Sequence, residues 1–155
     1  MHWSAAGEGT VAYIDIPGDP GLQAVCTDNR DLAAFVDSWV RDLPGPYRID
    51  TLVDAAIYRE GSIDASPAWV VETEGTTVVA TWMNLAPPII LEAPAPSFKA
   101  DQDVYSHLLF SDDATICVGG RQVEGRPYPR DIWRTSIGGD RSSCVVALSE
   151  TFIDV

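Results

Sequence analysis

The stretch that decides the fold is PAWVVETEGTTVVATWM, residues 67–83. Mostly apolar residues flank Glu74-Gly75, and this pair offers a two-residue turn in which glycine tolerates the positive φ angle required. The pattern predicts a β-hairpin in which Thr73 faces Thr76. We expect one side of this hairpin to meet a helix, and that side carries Trp69, Val71, Val78, Ala80 and Trp82.

A helix precedes this hairpin in the chain. From Asp28 onward the apolar residues recur at helical spacing, at Leu32, Phe35, Val36, Trp39 and Leu43. Asp28 is placed to cap the free N–H groups of the first turn, and Pro44-Gly45-Pro46 ends the helix. These observations predict one amphipathic helix within residues 28–43.

Further strands are predicted by short alternating or β-branched runs at 9–16, 104–110 and 143–152. Residues 50–60 suit either a short helix that ends at Gly61 or a strand, and we favour the strand. Residues 115–123 predict a second tight hairpin around Gly119-Gly120. The prolines in 86–96 restrict that stretch to an extended crossing or an edge strand. We therefore predict an α+β fold in a single globular domain, residues 1–155, with one amphipathic helix packed on a mainly antiparallel sheet that curls toward a half-barrel.

Composition is typical of a folded domain. The chain has 155 residues, of which 46% are hydrophobic and 9% aromatic, so enough apolar surface exists to offset chain entropy. The first residues do not form a secretory leader, no run suits a membrane span, and the three cysteines have no C-x-x-C spacing. We expect reduced thiols and a cytoplasmic location. One lysine against nine arginines is typical of a GC-rich bacterial genome.

Negative charge is confined to the first part of the chain. Residues 1–120 contain 18 Asp and Glu against five Lys and Arg, residues 121–155 contain five of each, and the net charge is −13. This charge argues against a nucleic-acid partner, because neutralisation of phosphates supplies most of the affinity in such complexes. It favours a cationic partner, or serves solubility alone.

Five arginines follow Gly120, close in sequence to two aromatic residues. Guanidinium groups bind carboxylate or phosphate and stack on aromatic rings, so we predict a site for a small anionic ligand formed by Tyr128, Arg130, Trp133 and Arg134. A short helix that begins at Pro129 would place its two arginines on one face. The alternative is that these arginines neutralise the protein's own acidic body through ion pairs.

His107 lies on a predicted strand, and Tyr105 shares its face. An imidazole beside a phenol, with Asp101 or Asp103 to fix its tautomer, is a workable acid-base pair near neutral pH. The alternative is a surface histidine held by a hydrogen bond. The sequence has no G-x-S-x-G, P-loop, G-x-G-x-x-G or H-E-x-x-H motif, and its few histidines and cysteines do not form a zinc set. We predict no metal and no cofactor.

Two functions are compatible with these features. The first is a small acidic binding protein, of inhibitor or immunity type, that docks on a basic protein through Asp31, Asp37 and Asp42, with an exposed aromatic as its strongest contact. The second is a small cofactor-independent isomerase, cyclase or hydrolase with His107 and Tyr105 as the acid-base pair and an arginine as the anchor for an anionic substrate. In layout alone, the order of elements resembles that of small bacterial immunity proteins and small barrel-like cyclases. We expect a monomer or homodimer with no nucleic-acid or membrane partner.

Overall fold

The computed structural model describes residues 2–4, 6–40, 49–94 and 102–153. The described residues form a mainly β structure with two short helices, which is compatible with the predicted α+β class. The strands are β1 His2–Ser4, β2 Gly7–Gly9, β3 Val11–Ile16, β4 Leu22–Thr27, β5 Leu52–Glu60, β6 Ala68–Thr73, β7 Thr77–Leu85, β8 Ile89–Pro94, β9 Gln102–Val118, β10 Arg121–Gln122 and β11 Cys144–Ile153. The helices are α1 Arg30–Val40 and α2 Asp131–Ile137.

Most of the described strands belong to one mixed sheet. Its order is β10-β9-β7-β6-β5-β4-β3, with β8 and β11 also paired to β9, while β1 and β2 form a separate two-stranded sheet. The pairs β3-β4, β5-β6, β8-β9 and β9-β11 are antiparallel, but β4 and β5 run parallel. A parallel pair needs a crossover connection, and α1 lies within the connection between these two strands.

The predicted elements are largely confirmed within the described residues. The hairpin at 67–83 appears as β6 and β7, and the hairpin at 115–123 turns at Gly119 and Gly120, whose φ angles are +56° and +76°. The proline-rich stretch contributes β8, which pairs with β9. A short helix, α1, occupies Arg30–Val40 within the predicted range 28–43. The strand β4 and the parallel pairing were not predicted.

The chain forms two compact units. Unit 1 comprises residues 1–60, 68–80 and 116–123, and unit 2 comprises residues 61–67, 81–115 and 124–155. The core of unit 1 is formed by Ile14, Ala24, Cys26, Ala55, Val71, Val78 and Val118. Within this unit, α1 buries Leu32 and Ala33 and makes its main contacts with β2, β3 and β4. The sequence pattern predicts contact between this helix and the β6-β7 hairpin, whereas the main contacts of α1 are with these other strands.

Helix α1 is capped by Asn29 rather than by Asp28. The Oδ1 atom of Asn29 accepts hydrogen bonds from the backbone N–H groups of Asp31, at 3.0 Å, and Leu32, at 3.1 Å. Asp28 Oδ1 instead accepts the backbone N–H of Thr10 at 2.7 Å. Asp28 therefore joins the end of β4 to the residue before β3, and the cap lies one residue later than predicted.

In unit 2, one face of β9 forms the core. Ser106, Leu108 and Phe110 alternate along the strand and are all buried, as the strand pattern predicts. Trp133 of α2 meets Phe110 edge-on, with ring centroids 5.3 Å apart and an interplanar angle of 85°. The guanidinium carbon of Arg141 lies 5.6 Å from the centroid of the same Phe110 ring. The aromatic contact holds α2 against β9, and the Arg141 contact holds the segment after the helix.

Candidate functional site

The candidate site in unit 1 lies where β4 ends and β5 continues. Strand β5 pairs with β4 over Leu52–Asp54 and with β6 over Ala55–Glu60. After Thr27 the chain leaves the sheet to enter α1, so no other strand of the described chain lies on the β4 side of β5 beyond Asp54. The sheet therefore has a step at this point.

A shallow, open depression of about 500 Å³ occupies the step. Its lining consists of Thr27, Asp28, Asp54, Ala55, Ala56 and Glu72. The small side chain of Ala56 leaves room above the strand, and all three acidic side chains are exposed. The geometry suits contact with a surface or an extended segment better than enclosure of a small molecule, because buried ligands need a concave pocket.

The turn from β4 into α1 is held by a compact set of hydrogen bonds. The buried hydroxyl of Thr27 accepts the N–H of Asn29 at 3.0 Å and lies 2.9 Å and 2.8 Å from the carbonyl oxygens of Thr10 and Asn29. The side-chain amide of Asn29 donates to the carbonyl of Glu8 at 3.1 Å and of Ala6 at 3.3 Å. This junction fixes Asp28, which lines the depression, and Arg30, which binds Asp54 of the lining.

Arg30 and Asp54 form a bidentate ion pair beside the depression. The Nε–Oδ1 distance is 2.7 Å and the second N–O distance is 2.8 Å. The hydrogen bond from Arg30 lowers the pKa of Asp54; the positive charge of Arg30 acts in the same direction, and partial desolvation opposes both. Both side chains are more than half exposed, so the pair orients the carboxylate more than it stabilises the fold.

Tyr58 and Glu72 form the second polar contact on this surface. The phenol of Tyr58 donates to Glu72 Oε1 at 2.9 Å, and this bond, with smaller effects of partial burial and of the charges of Glu72 and Glu60, raises the pKa of the phenol. Tyr58 is 38% exposed, so part of its ring faces solvent beside the carboxylates. Exposed tyrosines of this kind are common anchors in protein interfaces.

Unit 1 carries a strong excess of exposed negative charge. Of its eleven described acidic residues, ten are exposed: Glu8, Asp15, Asp19, Asp28, Asp31, Asp50, Asp54, Glu60, Glu72 and Glu74. Three arginines are described in the same unit, and two of them are paired, Arg30 with Asp54 and Arg121 with Asp19 at 2.7 Å. Most of these carboxylates are therefore not neutralised by the described part of the unit.

The three aspartates predicted to contact a partner have different positions. Asp31 is exposed in the first turn of α1, directly after Arg30. Asp37 is half-buried on the same helix. Asp42 lies outside the described residues. Asp31 is thus the predicted contact that lies nearest in sequence to the depression.

The predicted anionic-ligand residues lie in unit 2 with a different arrangement from the one expected. Arg134 donates to Asp131 at 3.2 Å and to Asp140 at 3.0 Å, and the hydrogen bond to Asp140 and the charges of both carboxylates raise its pKa. Trp133 turns toward Phe110, and its buried Nε1 has no hydrogen-bond partner within the described structure. These two residues therefore have local partners, and the anionic-ligand site stays a prediction.

Tyr128 and Arg130 remain at the surface. Tyr128 is 62% exposed, and Arg130, at the N-cap of α2, is also exposed. Their backbone pairs with the segment before β11. The N–H of Arg130 donates to the backbone carbonyl of Arg141 at 3.0 Å, and the N–H of Ser143 donates to the backbone carbonyl of Tyr128 at 2.6 Å. Of the arginines after Gly120, Arg121 binds an acid of the preceding body, Asp19, as the self-neutralisation alternative predicts, whereas Arg134 binds two acids close to itself in sequence.

His107 lies in the middle of β9. It stands opposite Ile90 of β8 and opposite Leu148 of β11, and its side chain is half-buried. The backbone of Tyr105 is two residues earlier on β9, but its side chain is outside the described structure. The proposed acid-base role of His107 and Tyr105 remains a prediction.

The residues around the depression were not singled out from the sequence, apart from Asp28 as a helix cap. The available signal was the alternation of Asp54, Ala56, Tyr58 and Glu60 in a strand, which places them on one face. Comparison of the chain with protein-family models, curated proteins and solved structures gives no match. Within the described residues, no helix is long and apolar enough to cross a membrane.

Proposed function

We propose that the protein is a small acidic binding protein, of inhibitor or immunity type, that docks on a basic protein partner. The docking surface is the acidic face, defined as Asp28, Asp54, Glu60, Glu72 and Tyr58. The observation that carries the proposal is the step beyond β4, where an open depression is bordered by exposed carboxylates and lies next to an exposed tyrosine. A basic protein surface has the complementary charge for this arrangement.

The charge of the whole unit supports this role. An excess of exposed carboxylates creates a negative potential that draws a cationic partner toward the surface and raises the association rate, an effect that salt suppresses. Tyr58 supplies apolar contact area at low entropic cost once the partner has arrived. Asp31 extends the charged area along the first turn of α1, and contacts by Asp37 and Asp42 belong to the same hypothesis.

We also propose a cytoplasmic location. Cys26, Cys117 and Cys144 are free thiols. Free thiols of this kind suit a reducing compartment. Net negative charge makes nucleic acid an unfavourable partner there.

The proposal is tested by capturing proteins from a lysate of the source organism on the immobilised protein, at low salt and at about 1 M salt, where the Debye length falls to about 3 Å. Wild type is compared with two triple variants of equal charge change. The first triple variant alters the acidic face and carries Asp28→Asn, Glu60→Gln and Glu72→Gln. The control variant alters exposed acids of unit 2 and carries Asp64→Asn, Asp112→Asn and Asp113→Asn.

We expect a basic protein that is retained at low salt, released at high salt and lost only from the acidic-face variant. With the captured protein purified, three exposed charges at about 0.5 kcal/mol each predict about tenfold weaker binding by that variant. Equal losses from both triple variants would show that binding depends on net charge alone, and retention by the acidic-face variant would contradict the proposed surface.

A further inference from the structure

The backbone of β5 turns hydrogen-bonding groups toward the open side of the step. In the parallel pair, the N–H of Val25 donates to the carbonyl of Thr51 at 2.8 Å, and Val25 stands opposite Leu52. In a parallel ladder this geometry makes the odd-numbered residues of β5 direct both backbone groups toward β4. Beyond the end of β4, those residues are Ile57 and Arg59.

The other side of β5 gives the same result independently. The carbonyl of Pro67 and the N–H of Thr73 both bond toward β7, so the odd-numbered residues of that stretch face β7. The even-numbered residues of β6 therefore face β5, where they stand opposite even-numbered residues. Ile57 and Arg59 must then point away from β6.

These backbone groups have no hydrogen-bond partner within the described structure. Strand pairing on that side of β5 ends at Asp54, and no other hydrogen bond to the backbone of Ile57 or Arg59 is present among the described residues. Two N–H and two C=O groups thus form a short open edge. Such an edge is a template for an additional strand, and peptides bind sheet edges in this way in many recognition domains.

The side chains beside this edge indicate the chemistry of the added strand. Asp54, Glu60 and Glu72 lie on one face of the sheet, because Glu72 stands opposite Ala56 and the even positions of β5 share its side. The opposite face is that of the core residue Ala55 and of Ile57, which packs against the core. An added strand that alternates Lys or Arg with apolar residues would match both faces.

We propose that the free edge of β5 at Ile57 and Arg59 accepts an extended, alternating basic and apolar segment of the partner as an additional strand. The proposal rests on the proposed function, since it specifies how the basic partner engages the acidic face. The added strand would form a ladder of backbone hydrogen bonds with β5 in addition to the charge contacts. The ladder supplies affinity, and the carboxylates select basic side chains.

Amide exchange measured by NMR tests the edge with a defined probe, the peptide acetyl-Lys-Val-Lys-Val-Lys-Val-Lys-amide. In the free protein, the amides of Ile57 and Arg59 should exchange much faster than those of Ala56 and Tyr58, which face β6. Addition of the peptide at low salt should slow exchange at Ile57 and Arg59. Slow exchange of both amides before the peptide is added would overturn the proposal, because it would mean that the edge is already occupied by this chain or by a second copy.

Two matched changes separate the backbone contact from the charge contact. Arg59→Pro removes an N–H on the open side and leaves the ladder to β6 intact, whereas Arg59→Ala removes the same side chain and keeps the N–H. Thermal unfolding first shows that both variants fold. By fluorescence anisotropy, we then expect Arg59→Pro to bind the peptide about tenfold more weakly than wild type and Arg59→Ala to bind it within about twofold of wild type. A peptide N-methylated at alternate residues should bind wild type about tenfold more weakly, which requires no variant to fold.

The outcomes distinguish this inference from the proposed function. Strand addition would be overturned if wild type bound the methylated and unmethylated peptides equally well and Arg59→Pro bound the unmethylated peptide as tightly as wild type. If the triple variant at Asp28, Glu60 and Glu72 lost binding at the same time, the acidic face would remain the docking surface. Absence of peptide binding by wild type would also overturn strand addition, while the capture experiment would still test the acidic face.

Discussion

Replacement of Asn29 by alanine should destabilise unit 1 more than a simple loss of helix cap. Oδ1 of Asn29 accepts two N–H groups of α1, and its amide donates to two carbonyls of the segment around β2. Loss of an N-cap costs about 1 kcal/mol, and each of the two donated hydrogen bonds contributes about 1 kcal/mol or less. We expect Asn29→Ala to lower the free energy of unfolding by about 2–3 kcal/mol.

Urea denaturation followed by circular dichroism measures this change. The matched control is Asn29→Asp, which keeps the cap acceptor and the favourable negative charge at the helix N-terminus but loses both donors. We expect it to lose about half as much stability as Asn29→Ala. A loss below about 0.5 kcal/mol for alanine, or equal losses for the two variants, would refute the assignment of Asn29 as both cap and tether.

Three further predictions concern packing and thiol chemistry. A Cβ at Gly9 would lie 2.6 Å from Asp28 Oδ1, so Gly9→Ala should cost about 1–3 kcal/mol in urea denaturation, while Gly75→Ala, with open space around it, should cost nothing. Burial raises the pKa of the Cys26 thiol, so the thiol should resist alkylation in the folded protein, and the free energy of unfolding should fall as the pH rises past the thiol's unfolded pKa. The buried hydroxyl of Ser111 lies within hydrogen-bond distance of the carbonyls of Met83 and Asp113 and can donate its one proton to either, so Ser111→Ala should cost about 1–3 kcal/mol by thermal unfolding.

Local pattern was sufficient for most strands and for the first helix. The β9-β10 hairpin turns at two glycines with positive φ, whereas the β6-β7 turn closes with the N–H of Thr73 bonded to the carbonyl of Thr76 and needs no positive φ at Gly75. Both turns lie within the sequence window that forms the hairpin. Asn29 and Asp28 are both good caps, and the choice between them depends on Thr10, which lies far away in sequence. That choice cannot be read from the helix alone.

The candidate site depends on contacts that the sequence does not show locally. Strand β4 is buried at every position from Ala24 to Thr27, so it lacks the alternation that marks a half-exposed strand. Without β4, neither the parallel pair nor the step beyond Asp54 can be predicted. Glu72 reaches the depression only through its pairing with Ala56, a register that connects two separate strands.

Mapping of the contact surface by NMR tests the central claim most directly. Amide shifts of the ¹⁵N-labelled protein are recorded as the lysine-valine peptide is added, with a glutamate-valine peptide of equal length as the control. We expect the lysine peptide to shift the amide signals of residues 54–60 and of Glu72. Salt at about 1 M should abolish these shifts, and the glutamate peptide should cause none. Shifts centred on Tyr128 and Arg130, or scattered evenly over the chain, would contradict the acidic face of unit 1 as the docking surface.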